Sequence, residues 1–99
     1  MLAFRAREMP ITEKQALIGR VQTLRSSLQR EPVSLVVSQA LHQCERLEQA
    51  ILQSHAEGLR FASFTLNRLM QQPGTNLGES SKSAARALKE GLDGAGVLA

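Results

Sequence analysis

An apolar stripe at helical spacing runs from Val37 to Met70 without a proline, and it constrains this 99-residue chain more than any other feature. Val37, Ala40, Leu41, Cys44, Leu47, Ile51, Leu52, Leu59, Ala62, Leu66, Leu69 and Met70 recur at steps that fit one side of an α-helix. A helix of about 38 residues, rising about 1.5 Å per residue, would be about 57 Å long. A globule of this size cannot cover such a length alone. The stripe therefore predicts an all-α chain that needs helical partners, either copies of itself or other proteins.

Composition supports that reading. The chain is 42% hydrophobic, with no Trp or Tyr and three Phe. An aliphatic core this thin buries proportionally little surface, and assembly is a common remedy. The net charge is +3, with Arg outnumbering Lys. Arg20, Arg25, Arg30, Arg46, Arg60, Arg68 and Arg86 are scattered among glutamates rather than clustered. They read as a solvated helix surface before they read as a phosphate-binding face. The alternative is a small basic helical-hairpin dimer that binds nucleic acid as a regulator. The single cysteine, Cys44, has no internal partner, which points to an intracellular, cytoplasmic setting. No apolar run reaches the ~18 residues of a membrane span, and Met1–Pro10 lacks the apolar core of a signal peptide.

The chain divides by its breakers. Residues 1–11 read as a flexible arm. Thr12 and Gln15 fit a capping box. Leu17, Val21, Leu24 and Leu28 follow at 4-3-4 spacing, a two-heptad coiled-coil seam, which predicts a helix from about Glu13 to Arg30. Pro32 ends it and is suited to the first position of the next helix. The second helix is expected to run unbroken to Gln71 or Gln72, forming with the first a long antiparallel hairpin over residues 12–72. Pro73-Gly74-Thr75-Asn76 opens a turn over 73–78. A weaker third helix follows over 79–93, with Ala84, Ala85, Leu88 and Leu92 on one face, and then a disordered tail over 94–99. The first helix covers only half of the second. The stretch from Gln53 to Met70 is left for the third helix, another subunit, or both.

The second half of the long helix has two faces. Leu59, Ala62 and Leu66 lie on the main stripe, Phe61 on its flank, and Phe64 nearly opposite at about 100° per residue. Ser54, Gly58 and Ala62 form a series of small residues four apart, the spacing that lets another helix approach closely. The predicted partner-binding surface is therefore Leu52, Gly58, Leu59, Phe61, Ala62, Phe64, Leu66 and Leu69. Its partners are other helical protein chains.

Chemistry has little to work with. His55 falls on the apolar stripe and reads as a packed histidine, His42 as a solvated one. Cys44 and His55 are eleven residues apart, about 16 Å along a helix axis, too far to share a metal ion. A phosphotransfer histidine would be exposed and followed by Lys-Gly within a turn, whereas His55 is followed by Ala56-Glu57-Gly58. Leu88 to Asp93 echo a BH3 helix but carry Leu92 where a small residue belongs. There is no glycine-rich phosphate loop, no nucleophile with a base and no paired metal motif. No enzyme activity, cofactor, metal or small-molecule substrate is expected.

Ala50-Ile51-Leu52-Gln53-Ser54, the pair Gln71-Gln72 and the upstream Thr12-Glu13-Lys14 resemble the diaskedin family, small helical subunits of the eukaryotic BORC complex. The resemblance covers most of residues 11–72. Leu59-Arg60 is one place out of the family's register, Pro32 has no counterpart there, and residues 73–99 do not match. It implies a non-catalytic subunit of a hetero-oligomeric coiled-coil assembly on the lysosomal surface, one that links lysosomes to a small GTPase and kinesin.

Overall fold

A computed structural model describes residues 11–72 and 76–95. Among these residues the chain is all-α, with α1 (Ile11–Gln29), α2 (Leu35–Gln53), α3 (Ala56–Met70) and α4 (Glu79–Gly94), and no strand. The expected flexible arm lies, but for Ile11, outside the described residues, as do residues 96–99 of the expected tail. Gly94 of that tail is helical.

Helix α1 forms as its seam predicts: Leu17, Val21, Leu24 and Leu28 are all buried. Thr12 lies inside the helix rather than at its N-cap. The helix closes with the Arg30 and Glu31 N–H groups donating to the Ser27 and Leu28 carbonyls. Pro32 does not begin the next helix. Pro32 and Val33 stay outside it, and Ser34, in extended backbone, takes the N-cap and accepts the Val37 N–H at 3.1 Å.

The main departure from the sequence reading is a break in the long helix. Ser54 adopts a left-handed conformation, φ 51°, the only positive φ at a non-glycine among the described residues. The Ser54 and His55 N–H groups donate back to the Ile51 and Ala50 carbonyls. That pairing is a Schellman end, in which the left-handed position is ordinarily glycine. His55 then caps α3, its Nδ1 accepting the Gly58 N–H at 2.8 Å. The ring is therefore not packed in the core as the stripe suggests. It is an exposed helix cap.

With the break in place, α3 folds back along α2. Gly58 lies against Ala50, and Leu69 lies beside Ser38 and His42 near the start of α2. Helix α1 also runs opposite to α2: Lys14 donates to the Leu52 carbonyl near one end, and Arg25 pairs with Glu48 at 3.1 Å further along. Helix α4 runs opposite to α1, with Gly91 against Leu17, the Arg20 guanidinium donating to the Ala87 carbonyl, and Ser81 bonded to Ser27. The four helices thus form an up-down-up-down ring in which each packs on its two neighbours. Leu24, Leu28, Leu47, Ile51 and Leu88 fill the middle and are fully buried. Each such side chain contributes about 1.5–3 kcal/mol by leaving water. The stripe from Leu59 to Leu69, left by the sequence to the third helix, another subunit or both, is covered by that helix, α4, and by α2 of this chain.

The N-cap of α4 is Gly78, which has no side chain to cap the helix. Glu31, from the α1–α2 connection, does this instead. Its Oε2 accepts the Gly78 N–H at 2.9 Å and the Ser81 hydroxyl at 2.7 Å. Since Ser81 gives its proton to Glu31, the buried Ser27 hydroxyl donates to Ser81 at 2.8 Å. The Ser81 bond, then the Gly78 bond, hold the Glu31 carboxyl below its ordinary 4.5, against a smaller opposing effect of burial. A depressed carboxylate stabilises the fold above the unfolded-state value and loses that contribution as pH falls through the folded value. Thermal melts from about pH 6 to pH 3 should therefore show a loss of stability in the wild type that is smaller in Glu31→Gln. Equal acid sensitivity of the two proteins would show that Glu31 does not anchor α4.

Candidate protein-interaction surface

The eight residues of the predicted partner surface separate into two groups. Leu59, Ala62, Leu66 and Leu69 are buried in this chain's own core. They are therefore already occupied by intramolecular packing, because the fold-back at Ser54 brings α2 against them. Gly58 is half-buried. A Cβ placed on it would lie 2.8 Å from His55 Nδ1 and 3.4 Å from Ala50 Cβ. Of the small residues Ser54, Gly58 and Ala62, Gly58 is in contact range of α2 of the same chain through Ala50, while Ser54 lies in the joint outside α3.

Leu52, Phe61 and Phe64 are exposed, Phe61 by 60% and Phe64 by 61%. The two phenylalanines, three residues apart, stand on the outer side of α3, opposite the buried set. Arg68, one turn on from Phe64, holds its guanidinium 5.8 Å from the ring centroid. An exposed cation–π contact of this kind contributes about 0.5–1 kcal/mol and holds the ring in one orientation.

Phe64 also stands at the mouth of a groove. Helices α3 and α4 approach each other least of the four neighbouring pairs. Between them is a space of about 250 Å³, floored by Leu47 and Leu88 and bordered by Phe64, Asn67, Met70 and Lys89. The lining is mainly apolar. Its one buried polar atom without a hydrogen-bond partner is the Ser63 hydroxyl. On the other side of α3, Phe61 borders a second hollow with Arg46, Gln53, His55 and Gly58. Asn67, Met70 and Lys89 were not among the predicted surface residues. Nothing in a linear pattern could assign them, because the groove exists only where α4 passes α3.

The chain's cysteine does not contribute a reactive thiol to this surface. Cys44 is buried, and burial, only partly offset by Arg25, pushes its thiol up to about 12. Such a thiol is not a nucleophile near neutrality. Among the described residues no three His, Cys, Asp or Glu side chains converge on a possible metal position. Among the same residues no helix is long and apolar enough to cross a membrane. Comparison with protein families, with curated proteins and with solved structures finds no match for this chain.

Proposed function

We propose that this chain is a non-catalytic helical interaction subunit, acting inside the cell by presenting the outer side of α3 to an apolar face of a partner helix. The observation that carries this reading is the pair Phe61 and Phe64, exposed on the helix whose other side is core, with Phe64 at the edge of an apolar groove. Paired exposed aromatics beside a concave apolar surface have the composition of an interaction hot spot. A partner side chain entering between Phe64 and Met70 would reach Leu47 and Leu88, and Lys89 and Asn67 would form a polar rim. In the assembly that the diaskedin resemblance implies, a BORC-like complex at the lysosomal surface, this is the side offered to neighbouring subunits.

Affinity capture from native lysate tests the proposal, with wild type and Phe61→Asp/Phe64→Asp as baits. Both side chains are already largely in water, so the variant should keep its helicity. A helical partner retained by wild type should fall by at least about tenfold in the variant, given about 1.5–3 kcal/mol for each aromatic that binding buries. The complex should also survive a rise in salt, because an apolar seam releases few counterions, whereas phosphate contacts weaken steeply. Binding that is lost in salt yet indifferent to the two substitutions would replace this reading with the nucleic-acid one.

A further inference from the structure

The joint between α2 and α3 has features that its role as a simple turn does not need. It is short, Ser54 and His55 alone between two regular helices. It has no proline and no glycine at its left-handed position, where Ser54 sits at φ 51°. An L-residue is disfavoured there, and the strain is relieved if the backbone returns to the right-handed region. Each of the two residues is compatible with a helix interior.

The pattern of buried residues also continues across the joint. At about 100° per residue, Cys44, Leu47, Ile51, Leu59, Leu66 and Leu69 fall within an arc of about 120° if α2 is carried straight into α3. All six are buried in the folded-back form. One straight helix over residues 35–70 would therefore present the same side chains on one face, about 54 Å long. It would also remove two helix ends and the unpaired backbone groups that need capping there.

We propose that Ser54–His55 is an exchange hinge: α2 and α3 fuse into one helix, and the opened chain pairs with a second copy by trading α3 and α4. Two straight helices lying antiparallel place α3 of each copy on α2 of the other. This is the contact that α2 and α3 now make within one chain. Helix α4 follows α3 and meets the other copy's α1, so the Glu31–Ser81 cap forms between chains. Every helix pair of the ring is recovered, and only the joint differs. Short strained connections are the usual site of such exchange. The folded-back monomer dominates at low concentration, because one chain closes on itself without the entropy of association.

The test compares the wild-type joint with two variants. Ser54→Ala/His55→Ala removes the α3 cap and puts a good helix former at the left-handed position. Ser54→Gly removes the strain and disfavours the fused helix. Each protein is refolded at about 1 mM and sized by light scattering after chromatography, since the exchanged form depends on concentration. A cap is worth about fivefold, and the dimer contains two joints, so the double-alanine variant should associate about thirtyfold more tightly than wild type. Ser54→Gly should associate less than wild type.

Exchange is separated from side-by-side pairing by a chemical cross-link. Gln39 and Thr65 border the same surface hollow, Gln39 from α2 and Thr65 from α3. A Gln39→Cys chain is refolded together with a Thr65→Cys chain and treated with a short bismaleimide. Linked heterodimers are expected only when α3 of one copy lies on α2 of the other, and Cys44 is shielded by burial. Dimers without the link would overturn the proposal, as would a helical double-alanine variant no more associated than wild type. If the double-alanine variant does not fold, equal association of wild type and Ser54→Gly, including none in either, would overturn it.

Discussion

Leu47→Asp is expected to abolish the helical fold, whereas Phe64→Asp leaves it intact. Leu47 comes from α2, is fully buried, and floors the groove between α3 and α4. Removing a buried leucine side chain costs about 2–5 kcal/mol before any charge is considered. The new carboxylate would enter a lining of Leu66, Leu88 and Leu92, in which the lone Ser63 hydroxyl cannot replace the water a charge needs. An isolated charge in such surroundings adds several kcal/mol, or remains neutral at a comparable cost. The sum approaches the whole stability of a small domain, about 5–15 kcal/mol. Phe64 is largely in water already, so its loss removes the Arg68 contact and some covering of the groove, about 1 kcal/mol. Circular dichroism and urea titration of the two variants give the answer. Equal loss of helicity would mean that the side of α3 carrying Phe64 is not free.

Gly58→Leu should destabilise by about 2–3 kcal/mol, and Gly58→Ala should be close to neutral, although both improve intrinsic helix propensity. Alanine gains about 1 kcal/mol of propensity over glycine. Its Cβ would also crowd His55 Nδ1 at 2.8 Å, displacing the ring that caps the Gly58 N–H. Losing a cap costs about 1 kcal/mol, so the two effects nearly cancel. Leucine gains slightly less propensity and loses the same cap. It must also fit its branched end against Ala50, whose Cβ is already 3.4 Å from the position of a single added carbon. Helices α2 and α3 then have to separate, and overpacking of that kind costs about 1–3 kcal/mol. Thermal melts of the three proteins should rank wild type and alanine together and leucine well below. Leucine as stable as alanine would show that α2 does not pack closely on α3 at this point.

The residues that carry the candidate surface are partly legible in the sequence. Angular position alone puts Phe61 and Phe64 off the main stripe, and both are exposed. Angular position on a helix is a local property, and it survives whatever the rest of the chain does. Leu59, Ala62, Leu66 and Leu69 were also placed correctly on one face. A straight helix leaves that face to the third helix or to another subunit, and offers no way for α2 to cover it. His55 was misplaced for the same reason: on a straight helix it falls on the stripe, and at a helix start it becomes a cap. One local signal did mark the break. Ser54-His55-Ala56-Glu57 fits the Ser-x-x-Glu form of a capping box, although the cap in the structure is one residue later.

The sequence by itself determined the helical class, the phase of the buried seams in α1 and α3 and the stop before Pro32. These follow from period, proline geometry and residue type, which act over a few residues. Tertiary structure alone decided that residues 35–70 form two helices rather than one. The buried pattern runs through Ser54 and His55 almost in phase, so local preference does not distinguish a straight helix from a folded one. Folding back costs a left-handed serine and two extra helix ends. In return it covers Leu59 to Leu69 with the chain's own α2 and α4, a gain of about 1.5–3 kcal/mol for each large apolar side chain removed from water. That balance depends on contacts between residues far apart in the chain, and the capping pattern at Ser54 to Glu57 marks where a break fits without deciding that it forms. The groove beside Phe64, the Glu31 cap on α4 and the close approach at Gly58 all follow from that one fold-back.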